Sequence, residues 1–98
     1  MNQNERILDE FEKYLESKGY SRVTPKGNKS TCFDYSKVRI PSVCKREGIS
    51  VNELIRDIDG IIDKYDQFGE ESDFGNKSHR AVINALKRFR EFCKTSSI

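Results

Sequence analysis

Apolar residues recur along this chain at three- and four-residue spacing, in stretches separated by glycine, proline and polar runs. The most regular stretch is SHRAVINALKRFREFCK, over 78–94. There Val82, Ile83, Leu86, Phe89 and Cys93 fall on one stripe of an α-helix at about 100° per residue. Ser78 is positioned to cap that helix, and Lys94 suits the negative end of its dipole. Arg80, Asn84, Lys87 and Arg88 lie off the stripe, so the helix is predicted to be apolar on one side and basic on the other.

The same period predicts a first helix from Asn4, with Ile7, Leu8, Phe11, Tyr14 and Leu15 inward and Gly19 as a left-handed cap. Residues 20–30 hold Pro25, Gly27 and Asn28 without periodicity and read as a loop. A second helix begins at Ser30 or Thr31 and uses Phe33, Tyr35, Val38, Ile40, Val43 and Cys44. Pro41 lacks an N–H and disfavours α conformation at Ile40, so a kink or break is expected there. Gly48 ends that segment. Ser50 with Glu53 then forms a capping-box pattern, and Ile49 with Leu54 a hydrophobic staple, starting a helix at Val51. Its inward set is Leu54, Ile55, Ile58, Ile61, Ile62 and Tyr65, with a possible split at Asp57, Asp59 and Gly60. Residues 68–77 read as a loop. No stretch alternates with period two, so the expected fold is all-α, a four- to five-helix orthogonal bundle.

Ninety-eight residues with this spacing make one domain, with an ordered core expected over about 4–94. The grouping of apolar residues excludes disorder for most of the chain, although 35% of its residues are charged. There is no apolar run of membrane-spanning length and no signal-peptide layout at the start, so a soluble, cytoplasmic protein is expected.

The net charge of +2 conceals an alternation. Residues 1–17 carry two basic and five acidic side chains, 18–48 eight and two, 49–74 two and eight, and 75–98 six and one. This pattern admits two readings. Neighbouring helices of opposite sign can pair with one another, or the two basic segments can converge on one face that binds a polyanion, with the acidic segments behind.

Candidate chemistry is sparse. Cys32, Cys44 and Cys93 are odd in number, widely spaced and set among apolar residues, which reads as free buried thiols. No CxxC pair exists and His79 is the sole histidine, so no zinc or other metal and no cofactor is expected. KGNKST over 26–31 echoes a phosphate-binding loop but lacks its glycine spacing and preceding strand. What it does offer is a basic loop at a helix start, suited to a single phosphate. Asp57, Asp59, Asp63 and Asp66 interleave with apolar residues at helical spacing and read as a solvated face rather than a calcium loop. Asp73-Phe74-Gly75 spells a kinase motif in a chain far too short for a kinase, and no catalytic triad is recognisable, so no enzyme is expected.

The order of elements carries a resemblance. A helix with Phe11-x-x-Tyr14-Leu15, a Gly19-Tyr20-Ser21 turn, a helix with Thr31-x-x-x-Tyr35, a third helix and a final Ala85-Leu86-x-x-Phe89-x-x-Phe92 helix follow one another over nearly the whole chain. This layout resembles the N-terminal core-binding (SAM-like) domain of tyrosine recombinases and phage integrases. The resemblance implies a four-helix domain that clamps duplex DNA through its second and fourth helices, the two segments that are basic here. The loop over 22–30 is longer than in such domains, Pro41 interrupts the second helix, and the recombinase catalytic domain is absent.

Two functions follow as expectations. One is a non-catalytic duplex-DNA-binding module, using Arg22, Lys26, Lys29, Lys37, Arg39, Lys45 and Arg46 from the first basic segment. Lys77, Arg80, Lys87 and Arg88 come from the second, all mainly on phosphates, with Asn84 as the candidate for a base edge. The other is a protein-interaction module, such as a phage or mobile-element accessory factor. In that case the acidic third segment or exposed aromatics such as Phe68 and Phe74 meet a partner protein.

Overall fold

A computed structural model of the chain describes residues 3–20 and 31–95, with the backbone alone at positions 3, 4, 78 and 79. The fold is all-α, with no strand among the described residues. Helix α1 spans Gln3–Ser17. Helix α2 is a continuous stretch over 31–47, built from an α turn (Thr31–Phe33), a π-helix (Asp34–Arg39) and an α-helix (Ile40–Glu47). Then come α3 (Val51–Arg56), α4 (Ile58–Tyr65), α5 (Ser72–Gly75) and α6 (Lys77–Thr95). The split expected near Asp57 is present, and α5 lies inside the expected loop over 68–77, so the described residues hold six helices. Helix α6 begins at Lys77, which places Ser78 in its first turn rather than at its cap.

Local chemistry fixes the helix ends. After α1, Gly19 takes φ 94° while the Gly19 and Tyr20 N–H groups donate to Glu16 and Leu15 carbonyls, both at 3.1 Å. After α2, Gly48 takes φ 68°, with Gly48 N–H on Lys45 at 3.3 Å and Ile49 N–H on Cys44 at 3.0 Å. Both are Schellman closures, which need the left-handed conformation that glycine adopts without a Cβ clash. The capping box forms as its sequence predicts. Glu53 N–H donates to Ser50 Oγ at 3.2 Å and Ser50 N–H donates to the Glu53 carboxylate at 3.1 Å.

The core centres on α6. Val82, Ile83, Leu86 and Phe89 are buried, along with Ala85 and Phe92, against Phe11 and Leu15 of α1, Ile40 and Val43 of α2, and Leu54 and Tyr65. Phe11 meets Phe89 edge-on at 5.0 Å between ring centroids, and Phe92 lies 5.5 Å from both Phe11 and Tyr14. Edge and tilted contacts at this separation are the favoured aromatic geometries. Tyr65 is fully buried, yet its hydroxyl reaches the Glu47 carboxylate at 2.7 Å, which also accepts from Lys64 Nζ at 3.0 Å. Cys32 and Cys44 are buried thiols outside any disulfide, Cys32 Sγ donating to the Tyr20 carbonyl at 3.3 Å, and Cys93 is half-buried.

Pro41 neither breaks α2 nor leaves it regular. Upstream of it the helix widens into the π turn, where Ile40 N–H donates to Tyr35, five residues back. The extra residue in the turn shifts the register. Ser36 is consequently turned fully inward, its hydroxyl donating to the Cys32 carbonyl at 2.6 Å, whereas Val38, expected inward, is 38% exposed. Ser42 Oγ donates to the Val38 carbonyl at 2.6 Å, supplying a donor beside the proline that has none.

Candidate nucleic-acid interface

Helices α2 and α6 pack against each other. Late in α2, Arg46 stacks over the Phe74 ring of α5 at 4.4 Å, and Lys77 from the start of α6 reaches the same ring at 5.4 Å. Early in α2, the half-buried Tyr35 faces Asn84 and Arg88 from the middle of α6. The two basic helices therefore pass each other in opposite senses, with cations at both ends of the seam and the Asn84 side chain exposed along it.

Carboxylates reach the same surface, and most of the cations found by sequence are paired with them. Lys37 bonds Asp9 of α1, and Arg39 Nε lies 2.9 Å from Asp34. Arg46 Nε donates to Glu71 at 2.6 Å. Asp66, just past α4, holds both Arg80 at 3.3 Å and Lys87 at 3.0 Å. The Gln67 backbone N–H and then Lys87 hold the Asp66 carboxyl below the usual carboxylate range. Arg88 Nη1 reaches the Tyr20 hydroxyl at 3.4 Å. Lys45 and Lys77 are exposed with no carboxylate partner among the described residues. Arg22, Lys26 and Lys29 lie outside the described residues.

The alternation of charge along the chain is thus used twice. Acidic segments pair with basic ones between helices, and the basic helices are still neighbours. These pairs are half-buried to exposed, a setting in which ion pairs are weak and partly screened by salt. Phe74, expected to be exposed, is half-buried under Arg46 and Lys77 and edge-on to Tyr65 at 5.9 Å. Phe68 is 95% exposed, with φ 72°, in a loop held by Gly69 N–H on Asp66 at 2.9 Å and Glu71 N–H on Lys64 at 2.8 Å.

One feature escapes any reading of spacing. The C-terminal ends of α1 and α6 enclose an open cavity of about 500 Å³ lined by Tyr14, Lys18, Tyr20, Arg88, Glu91, Lys94 and Thr95. Its residues come from opposite ends of the chain. The signal available in sequence is the Tyr14/Lys18 and Glu91/Lys94 helical pairs, which are common on any solvated helix. Among the described residues no group of three His, Cys, Asp or Glu is placed to hold a metal ion, and no helix is long and apolar enough to cross a membrane.

Compared with known proteins, the chain matches no family model, no curated protein and no solved structure.

Proposed function

We propose that the chain is a non-catalytic duplex-DNA-binding module of the kind its sequence resembles, contacting mainly phosphates through α2 and α6. The observation that supports this most directly is the antiparallel packing of the two basic helices, with Arg46 and Lys77 on one aromatic ring and Asn84 exposed in the seam. Cations spaced along two adjoining helices suit a phosphate backbone, and an exposed asparagine between them suits an adenine edge.

The test is retention on duplex DNA across a salt series. With four or five phosphate contacts the log–log slope of affinity against salt is on the order of −4. Reversing Arg80 and Lys87 is a poor test, because it sets new carboxylates against Asp66. Lys45→Glu with Lys77→Glu is cleaner: both side chains are exposed, and an acid in the first turn of α6 suits its dipole. That pair should reduce the slope to about −2, with only a small loss of thermal stability from the acid in the last turn of α2 and the lost Lys77–Phe74 contact. Asn84→Ala should narrow the difference between preferred and random duplex more than it weakens random binding. Absence of retention at about 50 mM salt, where phosphate contacts are strongest, sinks the proposal.

A second reading, a protein-interaction module, is favoured by Phe68. A large aromatic that is 95% exposed on a pinned loop, beside exposed Asp63 and Glu70, fits an apolar pocket on a basic partner. It takes the first reading's place if duplex retention fails.

A further inference from the structure

From the cavity between the ends of α1 and α6 we infer a second ligand site, one for a small phosphorylated ring compound of the nucleoside monophosphate class. It does not depend on the duplex proposal and shares only Arg88 with that surface. A volume of about 500 Å³ lies within the range of small-molecule sites. Three cations, Lys18, Arg88 and Lys94, stand against one carboxylate, Glu91, so the walls carry a surplus of two positive charges. Two phenol rings, Tyr14 and Tyr20, supply flat apolar area beside them. A dianionic phosphate with an attached base satisfies both kinds of wall.

Lys18 and Lys94 each sit at a helix C-terminus, where a cation is expected whatever binds nearby. That account does not extend to Arg88, which lies well inside α6. Its guanidinium has five donors. Among the described residues these meet the Tyr20 hydroxyl at a long 3.4 Å and the Glu91 carboxylate 3.0 Å from Nε, where the approach is out of line. Nε is closed off from solvent without a hydrogen-bond partner. Nε is thus out of a ligand's reach, but Arg88 lines the cavity and the long contact to Tyr20 leaves the outer donors of its fork poorly matched, so a phosphate in the cavity is the acceptor whose geometry fits them. Lys18 Nζ lies 5.6 Å from the Tyr14 ring centre, so the cation rests on the very ring a base would cover and is free to turn to the phosphate as the base arrives.

The test is calorimetric titration of the full chain with adenosine monophosphate, inorganic phosphate and adenosine in parallel. The expected result is binding of the nucleotide with Kd at or below about 1 mM, at least about tenfold tighter than either fragment. Lys18→Glu with Lys94→Glu should abolish it, and Lys18→Gln with Lys94→Gln should weaken it about tenfold while leaving the melting temperature near that of the wild type. Lys45→Glu with Lys77→Glu should leave nucleotide binding intact whatever it does to duplex DNA, which separates this site from the other proposal. No heat with nucleotide at about 5 mM, equal affinity for inorganic phosphate alone, or unchanged affinity in the double glutamate variant would each overturn the inference.

Discussion

Two glycines of neighbouring helices should respond in opposite directions to the same added methyl group. Gly60 sits exposed in α4, and a Cβ built there meets nothing within 4 Å. Gly60→Ala should therefore stabilise by roughly 0.5–1 kcal/mol, the helix-interior difference between the two residues. Gly75 ends α5 and is buried against α4, and a Cβ there would overlap the Tyr65 carbonyl oxygen and lie 2.9 Å from its carbon. The obstruction is backbone, and Tyr65 is anchored by its hydroxyl on Glu47, so no rotamer change relieves it. Overpacking of this kind costs about 1–3 kcal/mol, and an immovable neighbour places Gly75→Ala at or above the top of that range. Urea denaturation of both variants beside wild type gives the two differences directly. Thermal melting should show Gly60→Ala higher by about 2–8 °C and Gly75→Ala lower by at least about 10 °C for a domain of this size. A Gly75→Ala variant within about 0.5 kcal/mol of wild type would refute the close approach of α5 to α4, since surface substitutions away from such contacts fall inside that limit.

Leu86→Ala or Phe89→Ala should each cost roughly 2–5 kcal/mol in urea unfolding, because both side chains are fully buried at the centre of the core. Ser50→Ala, losing the cap to Glu53 N–H, should cost only about 1 kcal/mol. Phe68→Asn should raise the unfolding free energy by up to about 1 kcal/mol, since asparagine tolerates the left-handed backbone and almost no burial is lost; a destabilised variant would mean that Phe68 is packed. The Glu47 carboxyl is held below its ordinary range, chiefly by the Tyr65 hydroxyl and then by Lys64, and Asp66 is lowered likewise. Folded values below the unfolded ones mean stability that is complete above the ordinary carboxylate range and lost as pH falls through the lowered values. Melting temperature should drop between about pH 5 and pH 2, and Glu47→Gln should flatten that slope; an unchanged slope would count against the Glu47 contacts.

What the sequence determined by itself is what depends on neighbours within about one helical turn. The period of Val82, Ile83, Leu86 and Phe89 specified a buried face for α6, the Ser50/Glu53 pair specified where α3 begins, and Gly19 and Gly48 specified where two helices end. Each pattern repeats within about five residues, so it is legible before the fold is known, although the α6 face is buried only once α1 and α2 pack on it. The tertiary structure decided the rest. Pro41 was legible as a disturbance, but its resolution as a π turn, with Ser36 inward and Val38 outward, depends on which register fills the core against α1 and α6. The basic segments were legible as charge counts, whereas the pairing of Lys37 with Asp9, Arg46 with Glu71, and Arg80 and Lys87 with Asp66 depends on which helices lie side by side. The cavity lined by Tyr14, Lys18, Arg88 and Lys94 joins residues seventy to eighty positions apart, and the approach of Gly75 to Tyr65 rests on how α5 packs back onto α4. Long-range contacts of this kind are set by how whole faces pack, a property of the assembled core that no local spacing encodes.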